Sequence, residues 1–171
     1  VDDPADLAVV GDLAAERTTP PAEPVEPTDE VACVVFTSGS TGDPKPVEIT
    51  HRGLANRCHW QLDRYPVGAG ETAFAKTSLD FVDHLWELWG PLVGGADLVL
   101  VNDQTTLDPR RFLAAVADHR PTRLTIVPSL LDALLDSRTG EDLAQSLGRL
   151  RWLTVSGEPL SWTLAEQVRR L

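Results

Sequence analysis

The sequence predicts an α/β fold, a parallel sheet with helices on both faces. Three observations predict it. From residue 31 onward, short apolar runs of strand length alternate with segments of helical period. Gly, Pro, Asp and Ser fall at the junctions, where helices and strands start and stop. Successive strands are also far enough apart for a helix between them, which is what a parallel crossover needs. At 171 residues the chain is long enough for one domain with a real core.

The elements follow in order. Residues 1–30 are acidic and contain Pro20, Pro21, Pro24 and Pro27, so they read as an exposed connector, with a possible short strand end at 7–10. The folded core is assigned to residues 31–171. Val31 to Phe36 is an apolar run that reads as a buried strand, and Val47 to Thr50 reads as a second strand. A helix is predicted over 51–64, with Thr50 as its N-cap. A short strand at 72–76 leads to a helix over 81–93, rich in large apolar groups and stopped by Gly94-Gly95. A strand follows at 97–101. Asp108-Pro109 opens a helix to about residue 118, because proline suits the first helical position after a capping residue. The remainder reads as a strand at 123–127, a helix from Pro128-Ser129 to about 136, a strand at 151–155 and a last helix at 161–171. No internal repeat is present.

Composition excludes several classes of function. The formal net charge is −11 with no basic cluster, which argues against nucleic acid and against an anionic membrane surface. No apolar stretch has the length of a bilayer span, and the N-terminus lacks a signal pattern. Cys33, on its strand, and Cys58, on its helix, are isolated, so a reducing cytoplasm is the expected setting. His51, His59, His84 and His119 have no metal-ligand spacing.

The segment Thr37-Ser38-Gly39-Ser40-Thr41-Gly42-Asp43-Pro44-Lys45 carries the chemistry. Small side chains let backbone N–H groups approach an anion, hydroxyls add donors, and Lys45 adds a positive charge. That combination suits a polyphosphate. Loops of this composition are common, however, and most bind nothing. The spacing also departs from the GxxxxGK[ST] loop, and a strand rather than a helix follows.

The longer stretch VACVVFTSGSTGDPKPVEITHRGLAN, Val31 to Asn56, resembles the signature of the AMP-forming adenylating enzymes. Among these it is most similar to the adenylation domains of nonribosomal peptide synthetases. Two further segments are similar to that family's later motifs: Lys76 to Leu92 (KTSLDFVDHLWELWGPL) and Leu153 to Leu160 (LTVSGEPL). The resemblance covers nearly the whole chain and implies the middle of the large N-terminal subdomain of such an enzyme. The implied function is ATP-dependent activation of a carboxylic acid, an amino acid or a related acid. The acyl-adenylate would then pass to the thiol of a peptidyl carrier protein bearing a phosphopantetheine arm.

By the same resemblance, Thr37, Ser38, Gly39, Ser40, Thr41, Gly42 and Lys45 would grip the β- and γ-phosphates of ATP, in a loop expected to be mobile when empty. Phe81, Val82, Asp83, Trp86, Thr125, Thr154 and Ser156 would line the acyl pocket. Mg²⁺ is implied as a cofactor with its ligand outside this chain. No catalytic residue is assigned within the chain, because the family's adenine, ribose, metal and lysine motifs lie beyond it. The chain alone is therefore expected to be inactive, either as a fragment of a larger synthetase or as a natural truncation. The alternative is an inactive adenylation-like module serving as a scaffold or docking surface in a megasynthase.

Two departures bear on the chemistry. Pro46 stands where the family has glycine, and it removes one N–H donor. Val82 falls where amino-acid-activating members carry an aspartate for the substrate's ammonium. Three readings stay open: Asp83 or Asp80 takes over, the substrate lacks an α-amino group, or the site is dead. His51 is expected to orient the loop or its strand, and Glu87 and Glu158 are read as structural.

Overall fold

The computed structural model describes residues 26–37, 43–136 and 140–170. The possible strand end at 7–10 and most of the predicted connector lie outside these residues. Six strands and seven helices follow one another among the described residues. Two strands form a separate hairpin, β1 (Val31–Thr37) and β2 (Lys45–Thr50), paired antiparallel. The other four make a parallel sheet in the order β4-β3-β5-β6, with β3 at Thr72–Ala75, β4 at Asp97–Leu100, β5 at Arg123–Ile126 and β6 at Trp152–Val155.

The expectation of a buried strand at 31–36 is corrected. Within β1 only Val35 is buried, and Phe36 is 60% exposed. Cys33 is half-buried. The apolar run signalled a strand, but its only ladder partner among the described residues is the neighbouring β2, so it joins a hairpin and not the parallel sheet. Pro46 lies within β2 opposite Phe36, where a fixed extended φ is tolerated.

Helix α1 (His51–Arg64) starts as its sequence suggests: the Thr50 hydroxyl accepts the Gly53 N–H at 3.1 Å. Helix α2 (His84–Gly94) begins three residues later than predicted. Residues 81–83 instead form turns, closed by Phe81 N–H to Ser78 O at 3.0 Å and His84 N–H to Phe81 O at 3.1 Å. Its end is set by Gly95, which at φ 81° supplies the left-handed conformation that glycine adopts without steric cost. A four-residue helix, α3 (Asp103–Thr106), was not anticipated, and neither was α6 (Gly140–Leu147). Helix α4 (Pro109–His119) is capped by the Asp108 carboxylate, which accepts the Arg110 N–H at 2.9 Å. Helices α5 (Pro128–Asp136) and α7 (Trp162–Arg169) complete the set.

The main core joins Phe74 of β3 and Leu124 and Ile126 of β5 to Phe112, Leu113 and Val116 of α4, Leu131 and Leu134 of α5, and Leu164 of α7. Phe112 and Ile126 are fully buried, each contributing about 1.5–3 kcal/mol by leaving water. Helices α1 and α2 pack on one another, and α2 rests on β3 and β4.

At the starts of the parallel strands lies a buried ionic clasp. Glu71, just before β3, pairs with the Arg123 guanidinium and with Arg151 Nη1 at 2.8 Å. Glu71 Oε1 also accepts the Gly68 N–H at 3.2 Å. Arg123 reaches on to the carbonyl of Tyr65, at 3.0 Å, and to that of Pro66. One cluster thus ties the α1–β3 connection to the starts of β5 and β6.

Candidate functional site

The strand order places a switch point between β3 and β5. From β3 the chain moves outward to β4, returns to β5 on the other side of β3, and continues outward to β6. Open parallel sheets bind ligands outside the carboxyl ends of strands at such a point, because the two connections leave in opposite directions. A cleft of about 500 Å³ lies there. Its walls are Lys76, Thr77 and Ser78 after β3, Thr125 to Val127 at the end of β5, Ser156 to Glu158 after β6, and Phe81 and Asp83 ahead of α2. Leu107, 83% exposed, and two residues of α3 complete it.

Two carboxylates hold this edge. Glu87, 4% exposed, accepts the backbone N–H groups of Lys76 at 3.1 Å and Thr77 at 2.8 Å, and its other oxygen lies 3.5 Å from the Lys76 ammonium. The turn after β3 is thereby fixed from α2. Glu158 accepts the Ser129 N–H at 3.0 Å and its hydroxyl at 2.8 Å, which joins the turn after β6 to the start of α5.

Asp83 behaves differently. It occupies the N-cap position of α2, yet its side chain makes no capping hydrogen bond. Instead, its Oδ2 accepts the Ser156 hydroxyl at 3.0 Å, across the cleft from β6. It has no cationic partner among the described residues. A half-buried carboxylate that is not used for capping is a ready acceptor for a bound cation. Val82, 40% exposed, does not line the cleft. Asp80 turns back to its own loop, where Ser78 Oγ lies 3.3 Å from its Oδ2, and it does not line the cleft either.

A smaller cavity of about 40 Å³ adjoins this cleft, with Thr125 in the wall of both. Trp86 and Thr154 line it, together with Tyr65 and Trp152. The Trp152 indole nitrogen is buried without a hydrogen-bond partner among the described residues. Of the seven residues expected to line the acyl pocket, Phe81, Asp83, Thr125 and Ser156 therefore meet at the cleft. Trp86, Thr125 and Thr154 meet at the small cavity, and Val82 meets neither. Lys76, Thr77, Ser78 and Glu158 border the cleft without having been assigned to it. The signal for them was the KTS run and the SGEPL turn.

Of the predicted phosphate loop, Thr37 and Lys45 are opposite one another at the end of the β1–β2 ladder, both exposed. The Thr37 hydroxyl donates to the Lys45 carbonyl at 3.4 Å. Lys45 makes no ion pair among the described residues. Ser38, Gly39, Ser40, Thr41 and Gly42 lie outside the described residues. The His51 N–H donates to Glu30 O at 3.0 Å. His84 Nδ1 lies 2.7 Å from the Phe81 carbonyl, which can only accept, so that nitrogen carries the hydrogen. Among the described residues no three His, Cys, Asp or Glu side chains gather as a metal site, and no helix is long and apolar enough to cross a membrane.

Residues 2–171 match the family described as AMP-binding enzymes. The chain is 43% identical over 141 residues to the beta-alanyl-bioamine nonribosomal peptide synthetase ebony of Drosophila melanogaster, covering 80% of this chain and 16% of that protein. Among solved structures it superposes on the AMPPNP-bound form of the nonribosomal peptide synthetase FmoA3 with a TM-score of 0.73 and 30% identity, over 91% of this chain and 16% of that one. It also superposes on PA1221, a nonribosomal peptide synthetase protein containing adenylation and PCP domains, with a TM-score of 0.69 and 27% identity, over 85% of this chain and 28% of that one. The chain thus spans less than a third of the length of each of these three relatives.

Proposed function

The chain belongs to the AMP-binding enzyme family, and from that premise we propose that it is the acid-recognising centre of an adenylation unit within a larger nonribosomal peptide synthetase. In the reaction, a carboxylate oxygen of the substrate attacks the α-phosphorus of ATP and pyrophosphate leaves. A carrier-protein thiolate then attacks the acyl carbon and AMP leaves. Thr37, Lys45 and the loop between them supply donors for the β- and γ-phosphates, whose charge rises as pyrophosphate departs. Similarity to an AMPPNP-bound synthetase supports ATP as the nucleotide. Similarity to a protein with adenylation and PCP domains supports a carrier partner. Mg²⁺ would neutralise the phosphates through ligands outside this chain, the 171 residues alone would not catalyse, and the setting would be cytoplasmic.

The observation that carries the reading is Asp83, held by Ser156 in the cleft wall while Val82 lies outside it. The substrate therefore carries an ammonium group, and Asp83 is its partner. An ammonium left without one in such a site would be costly. An acid at 83 stands at a different point of the cleft wall from one at 82, so the amine it meets stands at a different distance from the carboxylate than an α-amine does. The name of the 43% identical relative, a beta-alanyl synthetase, supports a β-amino acid.

The test is ATP–pyrophosphate exchange by the synthetase that carries this chain, offered β-alanine, α-alanine and propionate. β-Alanine should be the best substrate and propionate the poorest. Asp83→Asn should lower kcat/KM for β-alanine by about a hundredfold, the loss of a charge-assisted contact. Asp80→Asn should leave it within about twofold, as expected of an exposed residue outside the cleft. Propionate equal to β-alanine, or an Asp83→Asn enzyme as active as wild type, overturns the assignment.

A further inference from the structure

We propose that Arg57 is a positioning residue that sets the depth of the acyl pocket by holding the ring of Trp86. The inference rests on the adenylation reading above and extends it to substrate length.

Arg57 lies on α1, clear of the cleft. Its guanidinium carbon is 4.6 Å from the centroid of the Trp86 ring and 4.7 Å from that of Trp60. It has no carboxylate partner among the described residues. Its one side-chain hydrogen bond among the described residues, to Gln61 Oε1, is long at 3.5 Å. What this cation mainly touches is therefore two aromatic faces, an arrangement that suits a planar guanidinium and fixes a ring in one orientation. Gln61, the neighbour that accepts from Arg57, packs its amide against Gly90 of α2, where an added Cβ would lie 2.7 Å from Oε1 and turn that amide aside.

Trp86 is three residues beyond Asp83, on the same side of α2 and one turn deeper. At the level of Asp83 the space is a cleft of about 500 Å³. Past Thr125, beside Trp86 and Thr154, only about 40 Å³ remains, room for a few water-sized groups and less than a tenth of the cleft. The Trp86 ring is part of that wall, and Arg57 stacks on it and holds it in place. An acid whose ammonium reaches Asp83 fits above this floor. A longer acid must displace the ring.

The experiment compares kcat/KM for β-alanine, 4-aminobutyrate and 5-aminopentanoate in pyrophosphate exchange by the intact synthetase, with Arg57→Met and Arg57→Lys variants. Both variants keep a helix-favouring side chain of similar length, and Lys keeps the charge without the plane. In wild type each added methylene should cost about tenfold. In Arg57→Met the preference for β-alanine over 5-aminopentanoate should shrink by about tenfold or more, chiefly through KM, and Arg57→Lys should fall between. A merely structural role would lower all three substrates together. An unchanged ranking in whichever variant keeps the wild-type melting temperature overturns the proposal. Wild-type enzyme that exchanges pyrophosphate with none of the acids refutes the β-amino-acid reading of the site instead, so the two failures are distinguishable.

Discussion

Glu71→Gln tests whether the clasp at the strand starts holds the sheet together. The Glu71 side chain is 1% exposed and binds three donors: Arg123, Arg151 and the Gly68 N–H. The variant keeps the shape but removes the charge and turns an NH₂ group toward a cationic donor. The Arg123 side chain, 9% exposed, would then be a buried cation with no carboxylate partner among the described residues, left with the Tyr65 and Pro66 carbonyls and the face of Trp152. Removing one member of a buried ion pair costs about 3–5 kcal/mol, because the other charge stays desolvated. For a chain of this size that corresponds to a fall in Tm of about 6–20 °C. Arg151→Ala provides the contrast. It breaks a contact of good geometry to the same carboxylate, but the Arg151 side chain is 61% exposed, so water replaces it and the cost should stay below about 1 kcal/mol. Urea titration of the chain followed by tryptophan fluorescence gives both values. An Arg151→Ala variant as unstable as Glu71→Gln, or a Glu71→Gln variant within about 1 kcal/mol of wild type, would refute the reasoning.

Two further outcomes follow from local geometry. Burial pushes the Cys58 thiol upward, and the nearby Arg57 charge only partly offsets this, so Cys58 stays neutral where a free thiol ionises. Iodoacetamide at mildly alkaline pH should label the half-buried Cys33 well before Cys58, as peptide mass mapping would show. Because folding raises this pKa, the stabilising contribution is complete below the free-thiol range and is lost as pH rises through the higher range of Cys58. Gly94→Ala should cost about 1–3 kcal/mol by overpacking. The new methyl would lie 2.6 Å from Val67 Cγ2 and 2.7 Å from Leu62 Cδ2. Val67→Ala in the same chain should restore part of the loss. Calorimetry showing no such rescue would rule out the clash as the cause.

Much of the fold is legible because its junctions are chemical. Thr50, Asp108-Pro109 and Gly95 mark helix ends through bonds and dihedral angles that their side chains determine locally. Two helices were not legible. Asp103–Thr106 is one turn of polar residues, too short to show a period, and Gly140–Leu147 starts on a glycine that reads as a break. The pairing of β1 was not legible either, since an apolar run announces a strand without naming its neighbour. Nor was the placement of β3 beside β5 and not at an edge, although that placement makes the switch point and the cleft. It depends on which helices cover which face, a property of the whole chain.

The acidic residues of the recognisable motifs show why a motif must be taken apart atom by atom. Glu87 and Glu158 stand in the two later motifs, and both are taken up at the sheet edge: Glu158 by the Ser129 N–H and hydroxyl, Glu87 by the Lys76 and Thr77 N–H groups and, at 3.5 Å, the Lys76 ammonium. Their placement is what a turn needs to stay in one shape, and it leaves little capacity for a ligand. Asp83 stands beside the Val82 substitution, lines the cleft itself, and accepts the Ser156 hydroxyl there. The residues that keep the pattern hold the walls, and the position that breaks it faces the space between them. If recognition of the acid differs from that in relatives activating α-amino acids, the break at 82–83 is where the difference must enter. Restoring the common pattern by exchanging the two residues, Val82→Asp with Asp83→Val, should therefore move preference from β-alanine toward α-alanine and not simply abolish activity.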